Sequence, residues 1–385
     1  MTEHKIIFGD SRSLNQIKDK SVQLIITSPP YWQLKDYGTE DQIGFNDSYE
    51  EYINNLNLVW KECNRVLSDG CRLCINIGDQ FARSVYYGRY KVIPIRTEII
   101  RFCESLGMDY MGAIIWQKTT TMNTSGGGAI MGSFPYPRNG ILKMDYEFIL
   151  LFKKLGNAPK PTQQQKEQSA MTKEEWGQYF SSHWNFNGVK QMGHIAMFPE
   201  ELPKRLIKMF SFAGETVFDP FAGSGTTLLA AKNLGRNSIG YEINKDFEPI
   251  IREKLGSDQL KLGDDTKVLF AEDEIGNISS FDQLPYIFSD PHRMDKKVDV
   301  KKLQFGSKID QSEAKRDELF GVKQVIASDK IELSNGLVVR LLGIKPNPLY
   351  QGQAISFLQE KFHKRKVFLK YDTIKYDAEN NLMCY

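Results

Sequence analysis

The chain is poor in the residues that build disulfide or metal scaffolds. Its 385 residues include 5 Cys and 5 His. Cys71 and Cys74 form one CxxC pair, but no second Cys or His pair follows at the spacing of a zinc site. The pair lies in the strand-like run Cys71-Arg72-Leu73-Cys74-Ile75-Asn76-Ile77, so buried structural thiols are expected and a metal site is not. Long apolar runs are also lacking. Nothing approaches the roughly 20 residues of a membrane helix, and the polar opening residues carry no signal-peptide pattern. These absences predict a cytoplasmic protein without a membrane partner. No excess of one charge exists either: Lys+Arg number 50 against Asp+Glu 48. That balance neither requires nor excludes nucleic acid, because a DNA-binding protein needs only a basic face and net charge averages that away.

What is present is enough apolar material for a full core, 41% of residues. Strands are expected at Lys5–Asp10, Val22–Thr27, 71–77, 111–116, 146–152, Thr216–Asp219 and Asn237–Glu242. Helical spacing covers Tyr49 to Leu67, with an exit near Asp69-Gly70, then 93–106 and Pro199 to about Ala213. Strands alternating with helices predict an α/β, doubly wound and mostly parallel sheet. The stretch from Lys118 to Trp184 breaks this pattern with a Ser125–Gly128 glycine run and a Gln/Lys-rich segment, and reads as an insertion or substrate-facing loop region. Residues 257–320 read as a partly ordered linker, and 321–385 as a small β-rich module. His183 and His194 are too isolated for a metal, and Asp145 and Glu147 read as packing or capping residues. Arg83, Arg89 and Arg96 suit phosphate contact or simple solvation equally.

Two strand-to-loop junctions carry the chemistry. The first is Phe218-Asp219-Pro220-Phe221-Ala222-Gly223-Ser224-Gly225-Thr226-Thr227. Its glycines permit a tight turn and close approach of a ligand to backbone. Asp219 ends its strand where ligands of open α/β sheets bind, and its carboxylate suits a cationic or amino group. Glu242 ends the next strand, where an acidic side chain can accept both hydroxyls of a ribose. The loop lacks the Lys of a GxxxxGK[ST] phosphate loop and is not GxGxxG, so a nucleoside triphosphate fits poorly. The second junction is Thr27-Ser28-Pro29-Pro30-Tyr31-Trp32. Rigid prolines fix the direction of the loop carbonyls. The Ser28 hydroxyl and Pro29 carbonyl offer two acceptors to an amino group, and Tyr31 offers a face on which a base can stack. No Cys follows the prolines, which disfavours carbon-5 cytosine chemistry.

With both junctions in view, the chain resembles the amino-methyltransferases of DNA in their β-class order, where TSPPYW precedes FDPFAGSGTT. The resemblance covers about residues 5–255. It extends to Gly9-Asp10, to Trp116-Gln117-Lys118 and to the segment His194 to Pro199, similar to the family's HxAxFP element. It implies a Rossmann-like methyltransferase fold with circularly permuted motif order over 1–256. The ends of such a domain often lie close together, so permutation is tolerated. It implies S-adenosylmethionine as cofactor, held by Asp10, Phe198, Asp219, Phe221, Ala222, Gly223, Ser224, Gly225, Thr226, Thr227 and Glu242. Ser28, Pro29, Pro30 and Tyr31 are the implied catalytic residues. Most target recognition is assigned to 119–190. Double-stranded DNA is the implied partner; a cognate restriction endonuclease and a second copy of the chain, as a homodimer, are candidates. SPPY is more typical of cytosine-N4 enzymes and DPPY or NPPY of adenine-N6 enzymes, so cytosine is favoured and adenine is the alternative. RNA or protein-glutamine methyltransferases with a similar proline loop usually place the cofactor motif first. A non-catalytic cofactor- or DNA-binding protein would have lost Ser28, Tyr31 or the glycines, and all are present.

The tail, 321–385, resembles part of a thermonuclease-like OB barrel through Val339-Arg340-Leu341-Leu342-Gly343-Ile344. The places of that family's metal-binding Asp and catalytic Glu hold Lys345 and Pro348, so nuclease activity is not expected. A degenerate or truncated module is expected, with Lys364, Arg365 and Lys366 either contacting nucleic acid or forming a solvated charge run.

Overall fold

The computed structural model describes the chain except residues 1, 37, 40, 83–86, 88–90, 119–134, 137, 139, 143, 187–197, 257–265, 274–277, 292–306, 309–318, 335–336, 345, 363–365, 370, 377–381 and 385. It forms two compact units, Met1–Ile309 and Asp310–Tyr385. Arg83, Arg89, Ser125–Gly128, His194–Met197, Lys364 and Arg365 lie outside the described residues.

In chain order the first unit contains β1 (Thr2–Phe8), β2 (Val22–Thr27), β3 (Lys35–Asp36), β4 (Leu67–Ile77), β5 (Gln80–Ala82), β6 (Lys91–Ile93), β7 (Met108–Lys118), β8 (Tyr146–Lys154), β9 (His183–Phe186), β10 (Thr216–Asp219), β11 (Asn237–Glu242), β12 (Thr266–Glu272) and β13 (Ser307–Lys308). Its helices are α1 (Tyr49–Val66), α2 (Ile95–Ser105), α3 (Gln163–Gln168), α4 (Lys173–Tyr179), α5 (Glu201–Phe210), α6 (Thr226–Asn233) and α7 (Glu248–Leu255). Nine strands make one sheet in the order β12-β1-β11-β10-β2-β4-β8-β7-β9. Strand β8 runs against its neighbours β4 and β7, and the other pairs are parallel. The mostly parallel, doubly wound α/β sheet expected from the sequence is therefore present.

The central strands are apolar on both faces because helices cover both. In β2, Ile25 packs with the cluster that includes α1 and α2, while Leu24 and Ile26 join α5 and α6 on the other side. Helix α1 starts at a capping box: the Ser48 hydroxyl accepts the Glu51 amide and the Glu51 carboxylate accepts the Ser48 amide. Tyr52, Ile53, Leu56, Val59 and Trp60 of α1 are buried. All five cysteines are buried free thiols. Among the described residues, no helix is long and apolar enough to cross a membrane.

Four features differ from expectation. First, α1 does not exit at Gly70. It ends at Val66, and Leu67, in extended conformation, already begins β4. Gly70 serves a close approach instead: a Cβ there would run into the Ala158 amide nitrogen. Second, the region 118–184 is not only loop. Two short helices, α3 and α4, each start at a capping box, and β9 forms the sheet edge with Trp184 fully buried. The Arg205 guanidinium of α5 lies over the rings of Tyr179, Trp184 and Phe186, fastening this excursion to the core. Third, 257–309 is more than a linker. Strand β12 runs parallel to β1 along its whole length. Leu284 and Phe288 enter the core, and Asn54 of α1 brackets the Phe288 backbone with bonds of 3.0 and 2.8 Å. Fourth, the β-type run Val367–Tyr371, continuous in the sequence, is split between two strands of the second unit.

That second unit contains β14 (Leu319–Ala327), β15 (Lys330–Leu333), β16 (Val338–Leu341), helix α8 (Gln351–Phe362), β17 (Lys366–Phe368), β18 (Tyr371–Tyr376) and β19 (Leu382–Cys384). Its sheet order is β17-β14-β15-β16-β19-β18. Ile331, Leu333, Val339, Leu369 and Cys384 form its small core. The Arg340 guanidinium donates to buried Asp329 at 3.2 Å, an ion pair within this unit.

Candidate active site

Strands β1, β11, β10 and β2 are neighbours and parallel, so their carboxyl ends open on one edge. That is where ligands of such sheets bind. A cleft there is lined by Asp10 and Ser11 after β1, Ser28 and Pro30 after β2, Pro220 to Ser224 and Thr226 after β10, and Tyr241 to Ile243 at the end of β11. Phe198, Phe247, Gln42 and Ile43 complete the wall. The motifs separated by nearly two hundred residues in sequence are thus brought to one place by strand order.

The loop after β10 is held from several sides. Gly225 caps α6 in the left-handed region, with φ of +79°, and Gly223 has φ of +51°, so both positions favour glycine. The Ala222 amide donates to the Tyr241 carbonyl at 2.8 Å, and the Gly223 amide donates to Glu242 Oε2 at 2.8 Å. From below, Lys254 Nζ donates to Ser224 Oγ at 2.7 Å and Thr226 Oγ1 at 3.1 Å; burial pulls this lysine down to about 8.

Asp219 lies beneath the cleft rather than on its wall. Its Oδ1 accepts the Thr27 hydroxyl at 2.8 Å and the Phe221 amide at 3.0 Å, and its Oδ2 accepts the Thr227 hydroxyl at 2.6 Å. One side chain therefore ties the residue before Ser28 to the glycine loop. Burial pushes its carboxyl up to about 6, against the pull of those donors. Thr227 and Gly225 likewise support the loop without lining the cleft.

Glu242 is on the wall. Burial pushes its carboxyl up to about 7, while the Asn244 and Gly223 amides oppose that rise. Asp10, also on the wall, is held by Arg12, whose Nε and Nη2 reach it at 3.0 and 2.5 Å. Arg12 continues to Asn55 of α1 and to the Asp41 carbonyl, next to Gln42 and Ile43. These last two were not anticipated. They sit in a loop without periodic pattern, and only the fold brings them over the cleft.

In the loop after β2, most polar groups are already engaged. The Pro30 carbonyl accepts the Tyr52 hydroxyl at 2.9 Å, and the Trp32 carbonyl accepts Gln80 Nε2 at 2.6 Å. The Tyr31 hydroxyl donates to Glu147 Oε1 at 3.1 Å and accepts the Gly78 amide at 2.7 Å. Its burial raises its pKa well above the usual tyrosine value, with nearby Glu147 adding to the shift, so it is a neutral donor. By contrast, Ser28 Oγ and the Pro29 carbonyl receive no hydrogen bond among the described residues. Glu147, expected to serve packing, instead reaches this loop from β8. Arg96 stacks over Phe148 at 3.9 Å and pairs with Asp79 at 3.2 Å, which engages it within the fold.

A Rossmann-like sheet thus opens a glycine loop and a proline loop onto one cleft. The chain belongs to the N6/N4 DNA methylase family, whose model matches residues 22–253. Type II methyltransferase M.MjaI of Methanocaldococcus jannaschii is 39% identical over 300 residues, spanning 70% of this chain and 96% of the relative. Type II methyltransferase M.MthZI of Methanothermobacter thermautotrophicus is 34% identical over 299 residues, spanning 71% of this chain and 82% of the relative. A protein of Thermus thermophilus assigned as a DNA modification methylase was solved in complex with S-adenosyl-L-methionine. It is 35% identical, spans 69% of this chain and 98% of its own, and superposes with a TM-score of 0.56.

Proposed function

We propose that this chain transfers a methyl group from S-adenosylmethionine to the exocyclic amino group of a base flipped out of double-stranded DNA, cytosine N4 being the favoured target and adenine N6 the alternative. The observation that carries the reading is the pair of unengaged acceptors, Ser28 Oγ and the Pro29 carbonyl, in a loop whose neighbouring polar groups are held by protein. An amino group donating its two hydrogens to these acceptors has its lone pair free to point at an electrophile, which is catalysis by orientation.

The cleft fits the cofactor. Two carboxyls on its wall, Asp10 and Glu242, oppose a phosphate-bearing ligand, and apolar Phe198, Phe221, Ile43 and Ile243 suit an adenine ring. When bound, S-adenosylmethionine supplies a methyl group on a positively charged sulfur. Glu242 accepts the ribose hydroxyls, Asp10 with Arg12 shapes the adenosine end, and the loop from Phe221 through Ala222, Gly223, Ser224, Gly225 and Thr226 frames the methionine end. Asp219 and Thr227 act through that loop. Tyr31 supplies a ring for the flipped base. Serine at position 28 supports cytosine, in keeping with the family pattern. The Type II names of the relatives support a paired restriction endonuclease as cellular partner and cytoplasmic action.

Replacing Ser28 by Ala removes one of the two acceptors. Methyl transfer measured with radiolabelled cofactor is expected to fall roughly 100-fold, with cofactor affinity by calorimetry nearly unchanged. Undiminished turnover would remove Ser28 from the catalytic role.

A further inference from the structure

Ser28, Pro29 and Tyr31 can act on a base only if the side chains behind them are aligned. On strand β8, Glu147 points back at this loop. Its Oε1 accepts the Tyr31 hydroxyl at 3.1 Å and its Oε2 accepts Asn76 Nδ2 at 2.7 Å. Asn76 is buried on β4, the strand beside β2, one residue beyond the Thr27–Ile75 register pair. An ionised carboxylate only accepts. Facing Glu147, the Asn76 amide must therefore present its NH2 group, which leaves its Oδ1 turned elsewhere. That oxygen is buried and has no hydrogen-bond partner among the described residues. The Tyr31 hydroxyl is constrained in the same way. The Gly78 amide can only donate to it, so its one hydrogen goes to Glu147.

We propose that Glu147 is a positioning residue for the target base: its acceptor-only carboxylate sets the hydrogen-bond direction of both Tyr31 and Asn76, and thereby holds Asn76 Oδ1 as a fixed acceptor for a donor that arrives with the substrate. A buried amide oxygen left unpaired costs free energy in the unliganded protein. Such a group beside the catalytic loop is completed when a base, or a water carried with it, enters. The inference rests on the amino-methyltransferase reading above.

The test exchanges donors and acceptors without changing shape. In Glu147→Gln the new side chain has one acceptor and one NH2 group. With its oxygen on Tyr31, its NH2 faces the Asn76 NH2 and forces that amide to flip, replacing the acceptor Oδ1 by a donor. The double variant Asn76→Asp/Glu147→Gln restores the original sense. Tyr31 donates to the oxygen of the amide introduced at position 147, and that amide's NH2 donates to the carboxylate introduced at position 76. The second oxygen of that carboxylate is then an acceptor again. Full-length variants are compared by kcat, KM for DNA, cofactor Kd and thermal unfolding.

The expected result for Glu147→Gln is a kcat loss of roughly tenfold or more with cofactor Kd and unfolding temperature near wild type. The double variant is expected to recover most of that loss. A merely structural role predicts instead that the unfolding temperature of Glu147→Gln falls together with kcat and that both return in the double variant. Wild-type turnover in Glu147→Gln would overturn the proposal, as would a double variant no better than the single one while still folded and binding cofactor. A wild-type protein that binds cofactor but methylates no base amino group would instead overturn the function on which the proposal rests.

Discussion

At the residue scale, the site depends on carboxyl groups whose roles follow from burial. Glu242 is raised from an ordinary 4.5 to about 7, so between those values the folded protein holds a proton that the unfolded chain has released. Stability of the free protein contributed by this group therefore falls as pH rises through that window. Asp219, raised to about 6, contributes with the same sign. Under the proposed function ribose recognition runs the other way, because only an ionised Glu242 would accept two hydroxyls without donating. Cofactor affinity is expected to strengthen as pH rises from about 6 to about 8, and the Glu242→Gln variant to lose that slope. Calorimetric titration across the range checks this; a wild-type profile parallel to that of the variant would remove Glu242 from the binding role. Asp219 shows the limit of motif reading. Its place beside the glycine loop suggested a ligand carboxylate, yet both its oxygens are engaged by Thr27, Thr227 and the Phe221 amide. Adjacency in sequence does not tell which way a side chain turns.

At the element scale, the glycine loop works because it lies directly on β11. Gly240 makes that possible: a Cβ there would meet the Ala222 Cβ and a Leu228 methyl, each at 2.9 Å. Gly240→Ala is expected to cost about 1–3 kcal/mol of stability, as overpacking does, and to weaken cofactor binding by displacing residues 220–225. Chemical denaturation paired with calorimetry measures both, and unchanged cofactor affinity would show that the loop tolerates the shift.

The elements legible in the sequence were those with strong, uniform patterns. Strands β2, β10 and β11 fall on the residues expected, because each is a short run whose end is marked by proline or an acidic residue. Strand β12 was hidden because it is an edge strand: its Lys267 pairs with Glu3 and its Phe270 ring packs under Arg252, so charge and apolar residues mix. Glu147 was hidden for another reason. Alternation along β8 tells which face a residue occupies, but not that Tyr31 and Asn76 wait there.

At the scale of the whole molecule, the boundary between units falls after Ile309. The catalytic unit keeps β12 on its sheet edge and Phe288 in its core. A chain ending at Ile309 is expected to fold and retain methyl transfer, whereas one ending at Gly256 loses a strand and two core side chains and is expected to unfold or aggregate. Circular dichroism and a methylation assay on both separate the cases; an active chain ending at Gly256 would show that β12 and the 278–290 segment are dispensable. The second unit has its own small core and an Arg340–Asp329 ion pair, and every residue assigned to the cleft belongs to the first unit.

The central claim, methylation of a base amino group, is tested most directly by incubating the full-length protein with S-adenosylmethionine and unmethylated genomic DNA, then digesting to nucleosides for mass spectrometry. N4-methylcytosine is the predicted product. N6-methyladenine would keep the mechanism and change the base, whereas 5-methylcytosine alone, or no methylated nucleoside from protein that binds the cofactor, would contradict the claim.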